Sequence, residues 1–172
     1  MRKMTSAGST KNKHFFFNKD FFLYCIPAIL VFFSSCDKKA LFEKNTPLYN
    51  AEWSKHEIIP FEVNISDTAS VYNFYINIRN NTDYAYANLY LFMNTRYPDK
   101  EVSRDTIECI LADKNGKWFG KGWGKYRFLS LPLGKNVKFF QTGTYIFEFE
   151  QAMRTDTLKN ISDIGIRIEK SI

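Results

Sequence analysis

The chain is poor in the residues that most catalytic and metal sites require. Two histidines occur in 172 residues. One, His14, precedes the longest apolar run, which leaves His56 alone in the rest of the chain. A hydrolytic triad needs a nucleophile, a base and an orienting group, and no G-x-S-x-G elbow accompanies that imidazole. Three cysteines are present, at positions 25, 36 and 109, and none has a His or Cys neighbour at zinc spacing. Asp113 and Asn115 of the D-K-N-G stretch could lend oxygens to calcium, but turn chemistry accounts for them without a metal. No run reaches the roughly 20 apolar residues of a membrane-spanning helix. Long amphipathic helices, internal repeats and low-complexity tracts are missing too. The expectation is therefore a protein that is not an enzyme and carries no cofactor and no metal.

The formal charge of +6 first suggests an acidic partner. Its distribution argues otherwise. Up to Ser35, five basic residues (Arg2, Lys3, Lys11, Lys13 and Lys19) stand against Asp20 alone. Removing that segment takes Lys+Arg from 24 to 19 and Asp+Glu from 18 to 17, so the remainder carries only +2. A nucleic-acid partner is not expected.

Residues 1–35 have the order of an export signal: a basic start, then the uncharged FFLYCIPAILVFF of Phe21 to Phe33. Extending this run backward would bury Asn18, Lys19 and Asp20, which hydrocarbon disfavours, and Pro27 disfavours a long helix. Small residues at Ser34 and Ser35 then open the backbone to a signal peptidase. The FSSC stretch is similar to the bacterial lipobox, with Phe33 in place of the usual Leu. That likeness implies a diacylglycerol on Cys36, further acylation of the palmitate type, and an anchor in a membrane of the cell envelope. Ordinary cleavage, with Cys36 a plain thiol, is the blander reading. Residues 36–52, DKKALFEKNTPLYNAEW up to Glu52, have no clean period and read as a lipidated tether. Some surface-exposed bacterial lipoproteins carry an acidic cluster after the cysteine. Here Lys38 and Lys39 follow Asp37, which favours a periplasm-facing protein.

Residues 53–172 read as an all-β domain, an antiparallel β-sandwich of about seven to eight strands. Aromatic residues make up 17% of the chain, as suits strands. EIIPFEVNI is a strand whose Pro60 suggests an edge or a bulge. Tyr72, Phe74, Ile76 and Ile78 alternate with polar residues, as do Ala87, Leu89, Leu91 and Met93. These two runs, joined by NNTD, are expected to pair as a hairpin. Ile107, Cys109 and Leu111 share a face, which makes Cys109 a buried structural thiol. DKNG is a hairpin turn. VKFF, TYIFEFEQA and DIGIRIEK complete the strands, with room for one short helix near Thr157 to Ser162.

Two stretches invite a chemical reading. Glu148 and Glu150 lie on one strand face about 7 Å apart, a spacing that paired carboxylates use in glycoside hydrolysis. Yet such pairs sit across a cleft, and alternating Glu on an aromatic strand reads more simply as the solvated face. In GKGWG the glycines recur at every second position and no helix follows, so a phosphate loop is excluded. Period-2 glycine instead allows close backbone approach, a bulge or a flat shelf. Trp118, Phe119, Lys121, Trp123, Lys125 and Tyr126 then form an aromatic and basic candidate surface for a glycan, a lipid headgroup or a protein. A twisted hairpin whose rings cover the edge of the core explains the same residues equally well.

WSKHEIIPFEVNISDT, YNFYINIRNNTDYAYANLYLF, DTIECILADKNGKWFGKGWGKYRF and TGTYIFEFEQAMRTDTLKNISDIGIRIEK follow one another in the chain. Together they resemble the gliding motility lipoprotein family GldH of the Bacteroidota, over about Trp53 to Lys170. The most specific parts are IRNNTDYAYANLYLF, WFGKGWG and D-I-G-I-R. The resemblance implies a lipidated envelope protein, anchored through Cys36. It also implies a non-catalytic part in the gliding and associated secretion machinery, with other envelope proteins as partners. A glycan-binding envelope module using Trp118, Trp123 and Tyr126 is the alternative.

Overall fold

A computed structural model describes residues 40–171. The expected export signal over 1–35 and the expected lipid site at Cys36 lie outside the described residues. Those residues form ten strands: β1 (Ala40–Pro47), β2 (Glu52–Ser54), β3 (Ile59–Ile65), β4 (Tyr72–Asn81), β5 (Asn88–Arg96), β6 (Val102–Ile110), β7 (Tyr126–Val137), β8 (Gly143–Gln151), β9 (Thr157–Lys159) and β10 (Ile161–Lys170). Two four-stranded sheets result, ordered β1-β10-β4-β7 and β3-β8-β5-β6, and β2-β9 is a small ribbon. Every pairing is antiparallel. The expected all-β sandwich is present, with eight strands in its two sheets.

The alternation in the sequence is what closes the core. Ile164, Ile166 and Ile168 of β10 and Ile76 and Ile78 of β4 are fully buried, as are Phe61, Leu89, Leu91 and Phe149 from the other sheet. The Phe74 and Phe147 rings meet edge to face across the sandwich, with centroids 4.8 Å apart. Each such side chain contributes about 1.5–3 kcal/mol by leaving water. Cys109 is buried in this core and unpaired, and burial pushes its thiol up to about 12. Pro60 lies on β3, an edge strand, where its missing N–H costs no ladder bond.

Four expectations need correction. First, β4 and β5 do not form a hairpin. They belong to different sheets, because residues 82–87 arch across the end of the sandwich with Tyr84 buried beneath them. Second, the tether does not reach residue 52. Ala40–Pro47 is an edge strand on β10, and Leu48 donates its N–H to the Ser162 carbonyl at 2.9 Å. No residue of β1 is fully buried, so its sequence shows no clean alternation. Third, YRFLSLPLGKNV is one long strand, and VKFF contributes only Val137 to it. Pro132 and Gly134 fit there because β7 is also an edge, with register shifts near Tyr72 and Phe74. Fourth, Thr157 to Ser162 holds β9 and the start of β10 rather than a helix.

The register defines two ends. Ala40 lies beside Glu169, which lies beside Asn73, and Tyr72 lies beside Val137. This is the entry end of the domain. Pro47 lies beside Asp163, which lies beside Arg79, and Arg79 beside Phe128. This is the far end. The eight residues of β1 separate the two by roughly 24 Å.

Candidate functional site

The far end presents the WFGKGWG segment. Its approach is set by Asp113, whose side-chain oxygen accepts the N–H of Asn115 at 2.8 Å and of Lys117 at 2.9 Å. Gly116 completes that turn with φ 79°, a conformation that costs other residues energy. Trp118 then bridges to Ala112, and Phe119 donates its N–H to the Leu111 carbonyl at 2.9 Å.

Beyond this the chain makes a second, tighter hairpin. Lys121 and Phe128 exchange both backbone hydrogen bonds, at 2.9 and 2.7 Å. A Cβ at Gly122 would collide with the Tyr126 carbonyl oxygen, and Gly124 sits at φ 60°. The alternating glycines are thus explained by close backbone approach and by a turn. The Arg127 guanidinium donates to the carbonyls of Gly124 and Tyr126, both at 2.8 Å. Thr82 donates its N–H to the Lys125 carbonyl at 2.7 Å, and Lys125 Nζ reaches Asp83 Oδ2 at 3.2 Å. The hairpin tip is therefore held from both sides.

What it holds out is aromatic and basic. Trp123 is 94% exposed, Tyr126 55% and Phe119 54%. Lys121 and Lys125 are exposed beside them. Trp118 differs: it is partly buried and packs against the core. The six candidate residues are thus brought to one end of the fold, but only five stand outward. Beneath them lies a cavity of ≈ 380 Å³ lined by Arg79, Lys121, Gly122, Tyr126, Phe128 and Ser162. Arg79 stacks over Phe128 at 5.9 Å and pairs with Asp163 Oδ2 at 3.3 Å. Burial raises the Asp163 carboxyl above its ordinary value, and Arg79 opposes that.

One residue of this end was missed. Tyr49 is 85% exposed, in a 3-10 turn whose following residues Asn50 and Ala51 have positive φ. Its neighbour Leu48 is bonded to Ser162, at the rim of the cavity. The sequence signal was weak, because the residue sits in a stretch without period.

The glutamates are engaged elsewhere. Glu148 pairs with Arg96 at 2.9 Å. Glu150 accepts from Asn94 at 2.6 Å and pairs with Arg104 at 3.2 Å. Arg104 also lies over the Phe92 ring at 4.1 Å. These are contacts of an open sheet face; neither carboxylate lines the cavity beneath the hairpin. Among the described residues no group of three His, Cys, Asp or Glu side chains could hold a metal, and no helix is long and apolar enough to cross a membrane.

The family model described as "GldH lipoprotein" matches residues 40–168. The chain is 39% identical over 149 residues to a protein of Christiangramia forsetii named gliding motility lipoprotein GldH homolog, covering 83% of this chain and 91% of that one. It is 32% identical over 152 residues to gliding motility lipoprotein GldH of Flavobacterium johnsoniae, covering 84% and 92%. Among solved structures, a fructofuranosidase of Schwanniomyces occidentalis aligns with 80% of this chain and 35% of its own at 10% identity and TM-score 0.33, a likeness too partial to speak to fold or function.

Proposed function

The chain belongs to the GldH lipoprotein family, and from that membership we propose that it is a non-catalytic component of the envelope machinery for surface gliding and its associated secretion. A lipid on Cys36 anchors it in a membrane, facing the periplasm. The far-end hairpin then docks other envelope proteins of the machinery.

The observation that carries this reading is Trp123, 94% exposed on a hairpin tip pinned by Arg127 and Thr82. Trp, Tyr and Arg dominate the binding energy of protein interfaces. A tip that is already ordered loses little entropy on docking. Exposed Lys121, which has no ion-pair partner among the described residues, adds selectivity for an acidic counterpart. The glycan alternative is less well served, because Trp118 packs on the core instead of joining Trp123 and Tyr126 on one platform.

The test is crosslinking of the tagged, full-length protein in intact cells, followed by identification of what co-purifies. A defined set of envelope proteins, lost with Trp123→Ala and with Cys36→Ser, supports the proposal. The same set recovered with Trp123→Ala removes the hairpin from the interface. Glycan recovered in place of protein transfers the surface to the binding-module reading.

A further inference from the structure

The entry end carries an apolar feature that partner docking at the far end leaves unused. The loop between β7 and β8 crosses there from one sheet to the other. Phe139 is buried in it, its ring against Tyr72 at 5.4 Å and Tyr145 at 4.9 Å. The Tyr145 hydroxyl donates to the Gln141 carbonyl at 3.1 Å, and the Gln141 amide donates to Asp99 at 2.7 Å. The loop is thereby fixed, and Phe140 is turned outward at 89% exposure. Beside it opens a cleft of ≈ 250 Å³ lined by Met93, Tyr97, Leu133, Val137, Lys138 and Phe140 among others. Val71, Val102 and Leu41 add exposed apolar surface at the same end. Lys135 and Lys138 flank the loop, exposed and without an ion-pair partner among the described residues.

The chain itself says what lies close to this end. Ala40 stands four residues after Cys36, a span of at most roughly 14 Å when fully extended. Ala40 and Val137 are at the same level of one sheet, three strands apart, or about 14 Å. A lipid on Cys36 therefore brings the Phe140 loop to within reach of the headgroup layer. An outward aromatic beside lysines is the composition that settles at a lipid interface, the ring among the upper acyl chains and the ammonium groups on phosphates.

We propose that Phe140, with Lys135 and Lys138, forms a second contact with the bilayer that carries the anchor, seating the domain entry-end down and directing Trp123 away from the membrane. This rests on the lipid-anchor reading of Cys36. An anchor attached at one residue leaves a domain free to tumble about it; a second contact fixes its direction.

The full lipidated protein, reconstituted in vesicles of phosphatidylethanolamine and phosphatidylglycerol, provides the test. Phe140→Cys and Trp123→Cys variants are labelled in turn with a polarity-sensitive fluorophore; Cys109 is buried and stays unlabelled. The label at 140 is expected to shift blue and to be quenched by spin-labelled lipid several-fold more strongly than the label at 123. Equal, weak quenching of both, with the protein still floating on the vesicles, overturns the seating while leaving the anchor intact. Failure to float overturns the anchor and the seating with it. A blue shift at 140 without lipid quenching puts a second protein copy on the loop and likewise overturns it. Lys135→Gln with Lys138→Gln is expected to reduce quenching at 140 in these vesicles; an unchanged signal removes the lysines from the contact.

Discussion

Replacing Gly165 with alanine is expected to loosen the seam between β1 and β10. Gly165 lies mid-β10, between Asn45 of β1 and Asn77 of β4. The Asn77 side-chain amide donates across it to Asn45 Oδ1 at 3.2 Å, so one side-chain bond ties three strands together. A Cβ at 165 would overlap the Asn45 oxygen outright and come within 2.5 Å of the Lys44 carbonyl oxygen. Two costs follow. Overpacking costs about 1–3 kcal/mol, and stranding the buried Asn77 amide costs about 1–3 kcal/mol more. A domain of this size loses roughly 3–6 °C per kcal/mol, so a summed cost of about 2–6 kcal/mol in Gly165→Ala should lower the melting temperature by roughly 6 to 36 °C. Urea unfolding followed by the fluorescence of fully buried Trp53 measures the free energy. The reasoning is sharpest as a cycle with Asn45→Ala, which removes the overlapping oxygen. In that background the Gly165→Ala cost should fall by about 1 kcal/mol or more. Effects that add to within about 0.4 kcal/mol would refute the account, since side chains that do not meet are independent.

Three further outcomes are expected. Phe149→Ala, which empties a site packed edge to face on Phe61 at 5.8 Å, should cost about 3–5 kcal/mol in the same urea assay. Trp123→Ala should leave stability within about 0.5 kcal/mol of the parent, since so exposed a ring stabilises nothing in the fold, while abolishing crosslinks to envelope partners. Cys109 should resist thiol reagents until the protein unfolds. Its folded pKa of about 12 lies above the ordinary 9.0, so between those values the unfolded state holds fewer protons. Stability should therefore decline above about pH 9, and Cys109→Ala should lose that part of the decline in urea midpoints taken across alkaline pH.

How much of this was legible in the sequence depended on whether a strand had one buried face. Runs such as YNFYINIRNN and TYIFEFEQ alternate because each has core on one side and water on the other, and both form strands as read. Alternation reports a face and not a neighbour, so it could not show that β4 and β5 part into different sheets. The discriminating residue was Tyr84, an aromatic in a polar loop that is buried to form an arch. Edge strands β1 and β7 gave little signal, since neither holds a fully buried residue and Pro132 and Gly134 interrupt the pattern of the second. At the candidate surface the sequence yielded the residue types and the glycine spacing. It could not distinguish Trp118, drawn onto the core, from Trp123 five residues later, held out by the turn at Gly124.

The pairing of the first described strand with the last has a mechanical consequence. A pull between Cys36 and a partner gripping Trp123 would enter the domain at Ala40 and leave it at the far end, along the strands. Hydrogen bonds of an antiparallel ladder run across that direction. The partners from Phe42 with Ile168 to Pro47 with Asp163 would thus be sheared together instead of being peeled apart one by one. Traction applied this way meets the whole seam between β1 and β10 at once, the geometry in which a β-domain resists stretching best.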